Sequence, residues 1–376
     1  MSRSGKSVAV LDADRIGQGA THLTTAFITA DIDTDNSDLI AMVGVERARH
    51  IWQSGEKAID FIEQAVKKHG IDCEFKRIPL YIYANSNDEL PDLKNEFEAL
   101  KKMGVKALWR KNSLSGLNSP AVIEIPNQAK YHPLKFLRGL AKQIIQKKGF
   151  IFEKTEVLDF KRVGSRFRAL TKYGTVTCDH LVIATHQPFK NPKEVFAKKG
   201  IYITYVMEAE APKNKLKEGI YIDLQNPYHY FRVDPQEKYD DIIFGGEDHR
   251  KEIKMDSRKN FTSLQEHFER AYGGKYKIVK KWTGPIIESI DGLALIGEAS
   301  KNLYVATAFS GNGMTYAPIA GAIIRDLILN KKNSWIQLYD PKRLPNVKQL
   351  IQKSKDYVGE IFGGAVKNAL RKKTAD

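Results

Sequence analysis

The order of elements in the sequence predicts a mixed α/β (α+β) protein: a discontinuous nucleotide-binding domain with an antiparallel-sheet domain inserted into it. Three observations carry this. A short apolar run, Ser7–Leu11 (SVAVL), ends in Asp12 and is followed by helical periodicity. A β-rich block covers Ile201 to Phe244 (YITYVMEAE, GIYIDL, YHYFRV, DIIFGG). A last apolar run, Asn302–Ala306, leads into Gly311-Asn312-Gly313 and a helix. Strand–loop–helix segments on both sides of a β-rich block imply one layer visited three times around an insert. The expected division is 1–72, 131–195 and 285–344 for the first domain, and 73–130 and 196–284 for the second.

Each element has a local reason. Ser7–Leu11 is short, β-branched and apolar, so it reads as a buried strand. Gly17–Thr29, rich in small and hydroxyl residues, reads as a loop wrapped around something. Leu39, Ile40, Val43, Ile51, Ile59, Ile62 and Val66 recur at helical spacing, giving one long helix or two in succession that stop at Gly70. A strand follows near Ile78–Tyr83, then a charged helix from about Asn87 to Met103 with Gly104 as its stop. Ala121–Ile125 is a strand, and Pro133 opens a helix to Lys148. Phe150–Phe152, Val157–Phe160 and Thr175–Thr177 read as a small antiparallel set, and His180–Thr185 (HLVIAT) as a fully buried strand. Helices are expected from about Ser257 to Ala271 and from about Ala317 to Asn330. Residues 345–376 read as a basic amphipathic helix.

Composition excludes more than it identifies. No apolar run approaches the ~20 residues of a membrane-spanning helix, and Val8–Leu11 is too short for a signal-peptide core. A cytoplasmic protein is expected. Cys73 and Cys178 are the only cysteines, so a disulfide scaffold, a zinc ribbon or an iron–sulfur centre within this chain is not expected. No metal site is expected. The formal charge of +15 is spread along the chain and interleaved with acids, as in Lys94–Lys102. That pattern suits a solvated basic surface, and no nucleic-acid partner is expected.

Three segments point to a bound nucleotide. Asp12 ends a strand, where an acid accepts hydrogen bonds from ribose hydroxyls; a simple turn residue fits that position as well. Gly311, Asn312, Gly313, Met314 and Thr315 open a helix, where backbone N–H groups and the helix dipole attract an anion or a polar ring. A plain strand–turn–helix joint is the alternative. Asp291-Gly-Leu-Ala-Leu-Ile-Gly297 brings a turn to the same place, and by itself is a hairpin.

Together these motifs resemble a known family. Asp12, GQGAT at Gly17–Thr21, TTA at Thr24–Ala26, HLVIAT, IDGLALIG at Ile290–Gly297 and NLYVATAFSGNGMT at Asn302–Thr315 occur in order. The chain is similar to D-amino-acid-oxidase-like FAD-dependent oxidoreductases. It is most like the bacterial branch often fused to a Rieske domain and related to γ-glutamylputrescine oxidase. KYHPLKFLRGLA (Lys130–Ala141), FGGEDH (Phe244–His249) and SWIQLYDPKRL (Ser334–Leu344) also resemble that branch.

The resemblance implies a glutathione-reductase-type FAD domain and a substrate domain on a large antiparallel sheet. It implies that Asp12 holds the adenosine ribose and that Gly19, Ala20 and Thr21 run beside the pyrophosphate. Thr24 and Thr25 would approach the isoalloxazine, Val157 would frame the adenine, and Thr185 and Asp291 would belong to the same cofactor site. Gly311, Asn312, Gly313, Met314 and Thr315 would contact the flavin ring and ribityl chain. The implied reaction oxidises an amine or amino acid by hydride transfer to flavin N5, with hydrolysis of the imine. Tyr228, Tyr230 and Arg232 alternate along a strand, so one face presents all three. An arginine fork suits a substrate carboxylate, while cross-strand packing accounts for the same pattern. His186 could line the cavity or serve the core; His132 and His249 read as structural.

Three departures qualify the match. Only six residues precede Ser7, and no G-x-G-x-x-G occurs in the chain. A late-assigned start or a truncated chain is the expected reason. His22 is one position off the family histidine and Leu23 occupies its place, so non-covalent FAD is expected. No Cys follows Cys178 and no His follows His267, so Rieske ligands are absent from this chain. Electrons are expected to pass to oxygen or a separate acceptor. Two rival readings remain: a flavin-free binding or scaffold subunit, and a peripheral dehydrogenase at the inner membrane face. In the latter, Lys342, Arg343, Lys348, Lys353, Lys355 and Arg371–Lys373 would meet anionic lipid.

Overall fold

The computed structural model describes residues 5–111, 116–187, 199–252 and 256–344; the expected helix over 345–376 lies outside them. The chain opens with β1 (Ala9–Leu11), a 3-10 turn at Ala20–His22 and β2 (Phe27–Ile28). Helices α1 (Asn36–Val43) and α2 (Val45–His69) lead to β3 (Lys76–Tyr83), α3 (Leu90–Lys102), β4 (Leu108–Lys111) and β5 (Ala121–Lys130). Next come α4 (Pro133–Gln146), β6 (Phe150–Phe152), β7 (Val157–Val163), β8 (Arg166–Thr171), β9 (Gly174–Cys178) and β10 (Leu181–Ile183). After them follow β11 (Lys199–Ala211), β12 (Gly219–Asp223), β13 (Tyr230–Pro235), β14 (Asp240–Arg250), α5 (Ser257–Tyr272) and β15 (Lys277–Ser289). The last described elements are β16 (Leu295–Ser300), β17 (Leu303–Thr307), α6 (Gly313–Ile328) and α7 (Ile336–Tyr339).

A nine-stranded sheet in the order β15-β11-β14-β13-β12-β3-β5-β2, with β4 on β5, dominates the structure. All of its pairs are antiparallel except β12 with β3. The period of two along β3 explains its central place. Leu80 and Ile82 enter one core with Ile51, Ile59 and Ile62 of α2 and Ile319 and Ile323 of α6. Tyr81 and Tyr83 enter a second core with Tyr221, Phe231, Phe244 and the α5 residues Leu264 and Phe268. A strand buried on both faces must be apolar there, and the buried part of β3, Ile78–Tyr83, is.

The long periodic stretch resolves into two helices because Gly44 takes φ 80°, which breaks the ladder between Val43 and Val45. Gly70 ends α2 in the left-handed region, φ 57°. The start of α1 has no cap from its own N-cap side chain. Buried Glu96 of α3 supplies it instead, accepting from the Asn36 and Ser37 amides at 2.8 and 3.0 Å. α6 begins at Gly313, earlier than the sequence suggests; Pro318 is accommodated inside it.

Four expectations are corrected. Phe150–Phe152 joins β1 in a parallel pair, and the antiparallel set is β7-β8-β9 alone. The predicted buried strand at Ser7–Leu11 shortens to β1 and is exposed, with Val10 at 37%. The HLVIAT strand is half-buried rather than fully buried, with Val182 at 41% exposure. Apolar composition misled because among the described residues β1 pairs only with β6, and β10 only with β17. The β5 strand runs past Pro126 to Lys130, absorbing the proline next to a register shift against β3 and a left-handed Asn127. Cys73 is buried and Cys178 half-buried, and both are free thiols.

Gly55 lets α2 lie directly on the segment that follows β2: a Cβ there would sit 2.6 Å from the Ala30 Cα. Gly55→Ala gains about 1 kcal/mol of helix propensity but overpacks against backbone, which costs about 1–3 kcal/mol. Net destabilisation, seen as a lower urea midpoint with unchanged m, is the expected outcome.

Candidate active site

The C-terminal ends of the parallel strands gather the loops singled out in the sequence, as expected for ligand binding in such sheets. At the end of β1, the Asp12 amide donates to Phe152 O at 2.9 Å and its carbonyl accepts from Thr155 N at 2.7 Å. Its carboxylate is half-buried and takes one N–H, from Asp14 at 3.0 Å. At the end of β10, exposed Thr185 and half-buried His186 meet β17: the Thr307 hydroxyl donates to His186 O at 2.7 Å. Val157 opens the meander at β7. Gly19 stands before the 3-10 turn that carries Ala20 and Thr21, and a Cβ on Gly19 would meet nothing within 4 Å.

The loop between β17 and α6 is tied to the segment after β2. Asn312 donates through Nδ2 to Asp31 O (3.1 Å) and accepts through Oδ1 from Asp33 N (3.1 Å). The Thr315 hydroxyl donates to Thr29 O at 2.8 Å, and Tyr131 donates to the Met314 sulfur at 3.0 Å. The Gly311 amide donates to Asp33 Oδ2 at 2.5 Å. His186, Ala26, Ala308 and Ser310 hold φ of 60°, 61°, 57° and 50°. Non-glycine residues in that region cost on the order of 1–3 kcal/mol each and concentrate at functional sites. Thr24 supports one of them, its hydroxyl accepting from Ala26 N at 3.1 Å.

Asp291 is held differently. Arg343 grips it with Nε (2.6 Å) and Nη2 (2.7 Å), and Ser289 and Leu293 donate to it as well. The same guanidinium donates to Leu293 O and Ala294 O. Burial alone would raise the Asp291 carboxyl, yet the Arg343 contacts win and hold it below the usual carboxylate range. The Ile290–Gly297 turn is thereby fixed in place, and Asp291 acts by supporting it.

On the large sheet, Tyr228 precedes β13 and Tyr230 opens it; their rings lie 5.9 Å apart. Tyr230 packs edge-on against Phe27 (5.2 Å), over which Arg232 also lies (5.8 Å). The alternation thus brings all three residues to one side. The Arg232 fork, however, is committed: Nε and Nη2 reach Asp234 Oδ2 at 2.9 and 2.7 Å, and Nη1 donates to Thr25 O. Lys130 pairs with the other Asp234 oxygen. Arg232 therefore links the sheet to the Thr24–Thr25 segment, and its carboxylate-binding donors are already used.

The same side carries acids that sequence reading passed over. Asp33, Asp248 and Glu288 surround Tyr228, and all four are half-buried. Burial, with Glu288 adding and the Gly311 amide opposing, pushes Asp33 up to about 7. Burial and the charges of Asp33 and Glu288 push Asp248 up to about 7, against the Thr204 hydroxyl and His229. Burial first, then these acids, raises Tyr228 well above its usual value. The Oδ1 of Asp248 is buried without a hydrogen-bond partner. The run DIDTDNSD at Asp31–Asp38 was visible, but a charged run reads as a solvated turn until its burial is known.

Behind this face lies a second cluster. Asp223 receives the His229 amide on Oδ1 (2.8 Å) and His229 Nδ1 on Oδ2 (3.1 Å). His229 Nε2 faces Glu247 Oε1 at 3.2 Å. Burial opposes charge on His229, but the two carboxylates lift it to about 9.

Comparison with known proteins decides the family. The FAD dependent oxidoreductase family, DAO, matches residues 1–327. The chain belongs to that family. A Bacillus subtilis (strain 168) protein named "Putative Rieske 2Fe-2S iron-sulfur protein YhfW" is 28% identical over 371 residues, covering 97% of this chain and 72% of the relative. The Escherichia coli (strain K12) gamma-glutamylputrescine oxidoreductase is 23% identical over 356 residues, covering 87% and 79%. Among solved structures, glycine oxidase from Geobacillus kaustophilus superposes with TM-score 0.75 at 17% identity, covering 92% of this chain and 94% of that one. L-proline dehydrogenase from P. horikoshii gives TM-score 0.73 at 17% identity, covering 91% and 92%. The chain is an FAD-dependent oxidoreductase of mixed α/β fold. No helix among the described residues is long and apolar enough to cross a membrane.

The residues present fit FAD where they can be compared with it. Asp12 has acceptor capacity left for ribose hydroxyls. The backbone is open at Gly19 and Gly313, where a Cβ would meet nothing within 4 Å. Gly311 differs, because Asp33 already takes its N–H.

Asp291→Asn and Arg343→Met should each cost about 3–5 kcal/mol, the usual result of breaking a buried ion pair from one side. Because the folded Asp291 pKa is depressed, the pair's contribution is complete above the unfolded carboxylate pKa near ~4 and is lost as pH falls through the lower folded value. Urea unfolding between pH 7 and pH 3 should show wild type and Arg343→Met converging at the acid end.

Proposed function

We propose that the chain oxidises a cationic amine that lacks a carboxylate next to the reacting carbon. The observation that carries this is the half-buried pair Asp33 and Asp248 beside Tyr228, next to an Arg232 whose fork Asp234 and Thr25 occupy. A carboxylate substrate would meet like charge there, whereas an ammonium group finds acceptors in a poorly solvated recess, where charge attraction is strong. The name of the E. coli relative, gamma-glutamylputrescine oxidoreductase, supports an amine substrate. Glycine oxidase and L-proline dehydrogenase, whose substrates carry carboxylates, share the fold at low identity.

FAD, when bound, supplies a two-electron acceptor for the hydride from the amine-bearing carbon, and water hydrolyses the resulting imine. The protein's part is binding, orientation and proton handling. Asp12 would hold the adenosine ribose, and Gly19, Ala20 and Thr21 would lie beside the pyrophosphate. Thr24, Thr25, Gly313, Met314 and Thr315 would frame the flavin end, with the N-terminus of α6 favouring negative charge there. Tyr228 and Tyr230 wall the recess. The amine must lose its proton before oxidation, and Asp33, whose pKa lies near the working pH, is placed to take it. Large sheet and nucleotide-binding part thus divide the work between substrate and cofactor.

Two measurements test this. The purified protein should be yellow, with flavin absorbance released on denaturation; a folded, colourless chain indifferent to added FAD would sink the enzyme reading in favour of a scaffold subunit. Across a substrate panel, kcat/KM should be at least about tenfold higher for mono- and diamines than for glycine, proline or D-amino acids. The opposite order would overturn the cationic-amine assignment.

Asp33→Asn should lower kcat/KM by about 10²–10⁴-fold, the range of a lost general base. The wild-type profile should rise with pH through about 7, since the carboxylate form is the acceptor, and the variant should lose that limb.

A further inference from the structure

We propose that Asp223, His229 and His267 form a binding site for one divalent metal ion of the zinc class, separate from the flavin chemistry. The three come from different elements: the end of β12, the turn before β13, and α5. All are buried, at 2%, 6% and 4% exposure, and their ligand atoms lie within 4.8 Å of one another. His229 Nδ1 and His267 Nε2 each stand 3.1 Å from Asp223 Oδ2. Tetrahedral zinc with bonds of ~2.0–2.2 Å sets its ligand atoms about 3.3 Å apart, so these spacings match edges of such a site. Two imidazoles and one carboxylate are a borderline donor set that suits zinc better than magnesium or calcium.

The surroundings point the same way. Asp223 Oδ1 is taken by the His229 and Gln225 amides, at 2.8 and 3.2 Å, and Oδ2, on which Asn85 Nδ2 also lies at 3.3 Å, is the oxygen presented to the histidines. Glu247 accepts from His229 Nε2, so that release of the other proton on metal binding would leave the lone pair on Nδ1, the nitrogen facing Asp223. A carboxylate behind a ligating histidine is the usual support of a metal site. Two buried polar atoms in this region lack a well-aligned hydrogen bond: His267 Nε2, whose 3.1 Å approach to Asp223 Oδ2 is off hydrogen-bond geometry, and the Tyr83 hydroxyl, on the residue paired with Asp223 across β3 and β12. A buried nitrogen held by a poorly aligned contact is costly, and an ion between it and Asp223 would satisfy both. The imidazoles are stacked, centroids 3.5 Å apart and planes 9° from parallel. Coordination at one centre requires them to splay, and His267 turning to do so would exchange its off-geometry contact with Asp223 Oδ2 for the ion. In the metal-free chain, a proton on His229 serves as the compensating cation. The ion would tie α5 to the sheet directly behind Tyr228.

The test uses the whole chain and needs no turnover, so its result is independent of the amine reading. After dialysis against EDTA, the protein should take up one equivalent of Zn²⁺ that survives gel filtration, read by elemental analysis, with a higher Tm. Co²⁺ should give the visible ligand-field bands of a four-coordinate ion. Glu247→Gln should weaken Zn²⁺ binding about 10–100-fold, and His267→Gln and Asp223→Asn should abolish both uptake and Co²⁺ bands while circular dichroism stays native. The proposal is overturned if wild type binds no stoichiometric Zn²⁺ or Co²⁺. Uptake unchanged in folded His267→Gln overturns it too. Should Asp223→Asn fail to fold, His267→Gln and the Co²⁺ spectrum of wild type decide.

Discussion

Burial of carboxylate charge is the constraint around which this molecule is arranged. An isolated buried carboxylate is too costly to keep ionised, so each needs a cation, several N–H donors or a proton. Asp291 has Arg343, Asp234 has Lys130 and Arg232, Asp326 has Arg325 and Asn333, and Glu96 has the N-terminus of α1. These compensations also lock the architecture: they fix the turn before β16, tie β13 to the Thr24–Thr25 segment, and start α1. Among the described residues Asp33 and Asp248 have no cation in direct contact, although the charge of His229 acts on Asp248. These two lie together between the large sheet and the loop before α6; Asp31, which has only the Asn36 amide, and Asp35 and Asp241 are raised as well, elsewhere in the structure. Two poorly compensated acids beside the tyrosine face are what let that site be read as one for a cation.

Arg232 shows how one residue serves both halves. Its carboxylate partner is on its own strand, two residues away, so that pair costs little chain entropy. The third contact, to Thr25 O, crosses to the segment whose left-handed Ala26 is strained. Strain of that kind persists only where surroundings over-determine it. Arg232 therefore ties the tyrosine face to the Thr24–Thr25 segment, a positioning task that its type and spacing alone did not distinguish from clamping a substrate.

What was legible in the sequence divides along physical lines. Elements governed by local chemistry were readable: Gly70 ends α2 and the apolar run Ile78–Tyr83 marks β3, while the split at Gly44 was left open between one helix and two. The fold class was readable from the order of such elements. Partner choice between distant strands was not, because Phe150–Phe152 has the same composition whether it pairs with Val157–Phe160 or with Ala9–Leu11. Burial of single strands failed for a related reason: Val10 and Val182 are apolar, and their exposure depends on which strands lie alongside. Asp33 and Asp248 were invisible because an acid in a polar run signals solvent until tertiary packing removes it. The Asp223–His229–His267 cluster has no spacing motif, since its third member arrives on a helix after two intervening strands.

The net charge of +15 does not oppose a cationic substrate. Charges on an exposed surface are screened beyond a Debye length of about 8–10 Å in physiological salt, and most of the lysines sit there. A half-buried recess feels its nearest groups through a lower effective dielectric, where a unit charge at 4 Å acts several times more strongly than in water. The two terms therefore act at different ranges: the basic surface slows the approach of an amine at low salt, and the acids of the recess determine what stays. Raising ionic strength weakens the first far more than the second, so an amine should associate faster, not slower, as salt is added. An acidic substrate would show the reverse, because the long-range attraction it loses is the one term in its favour.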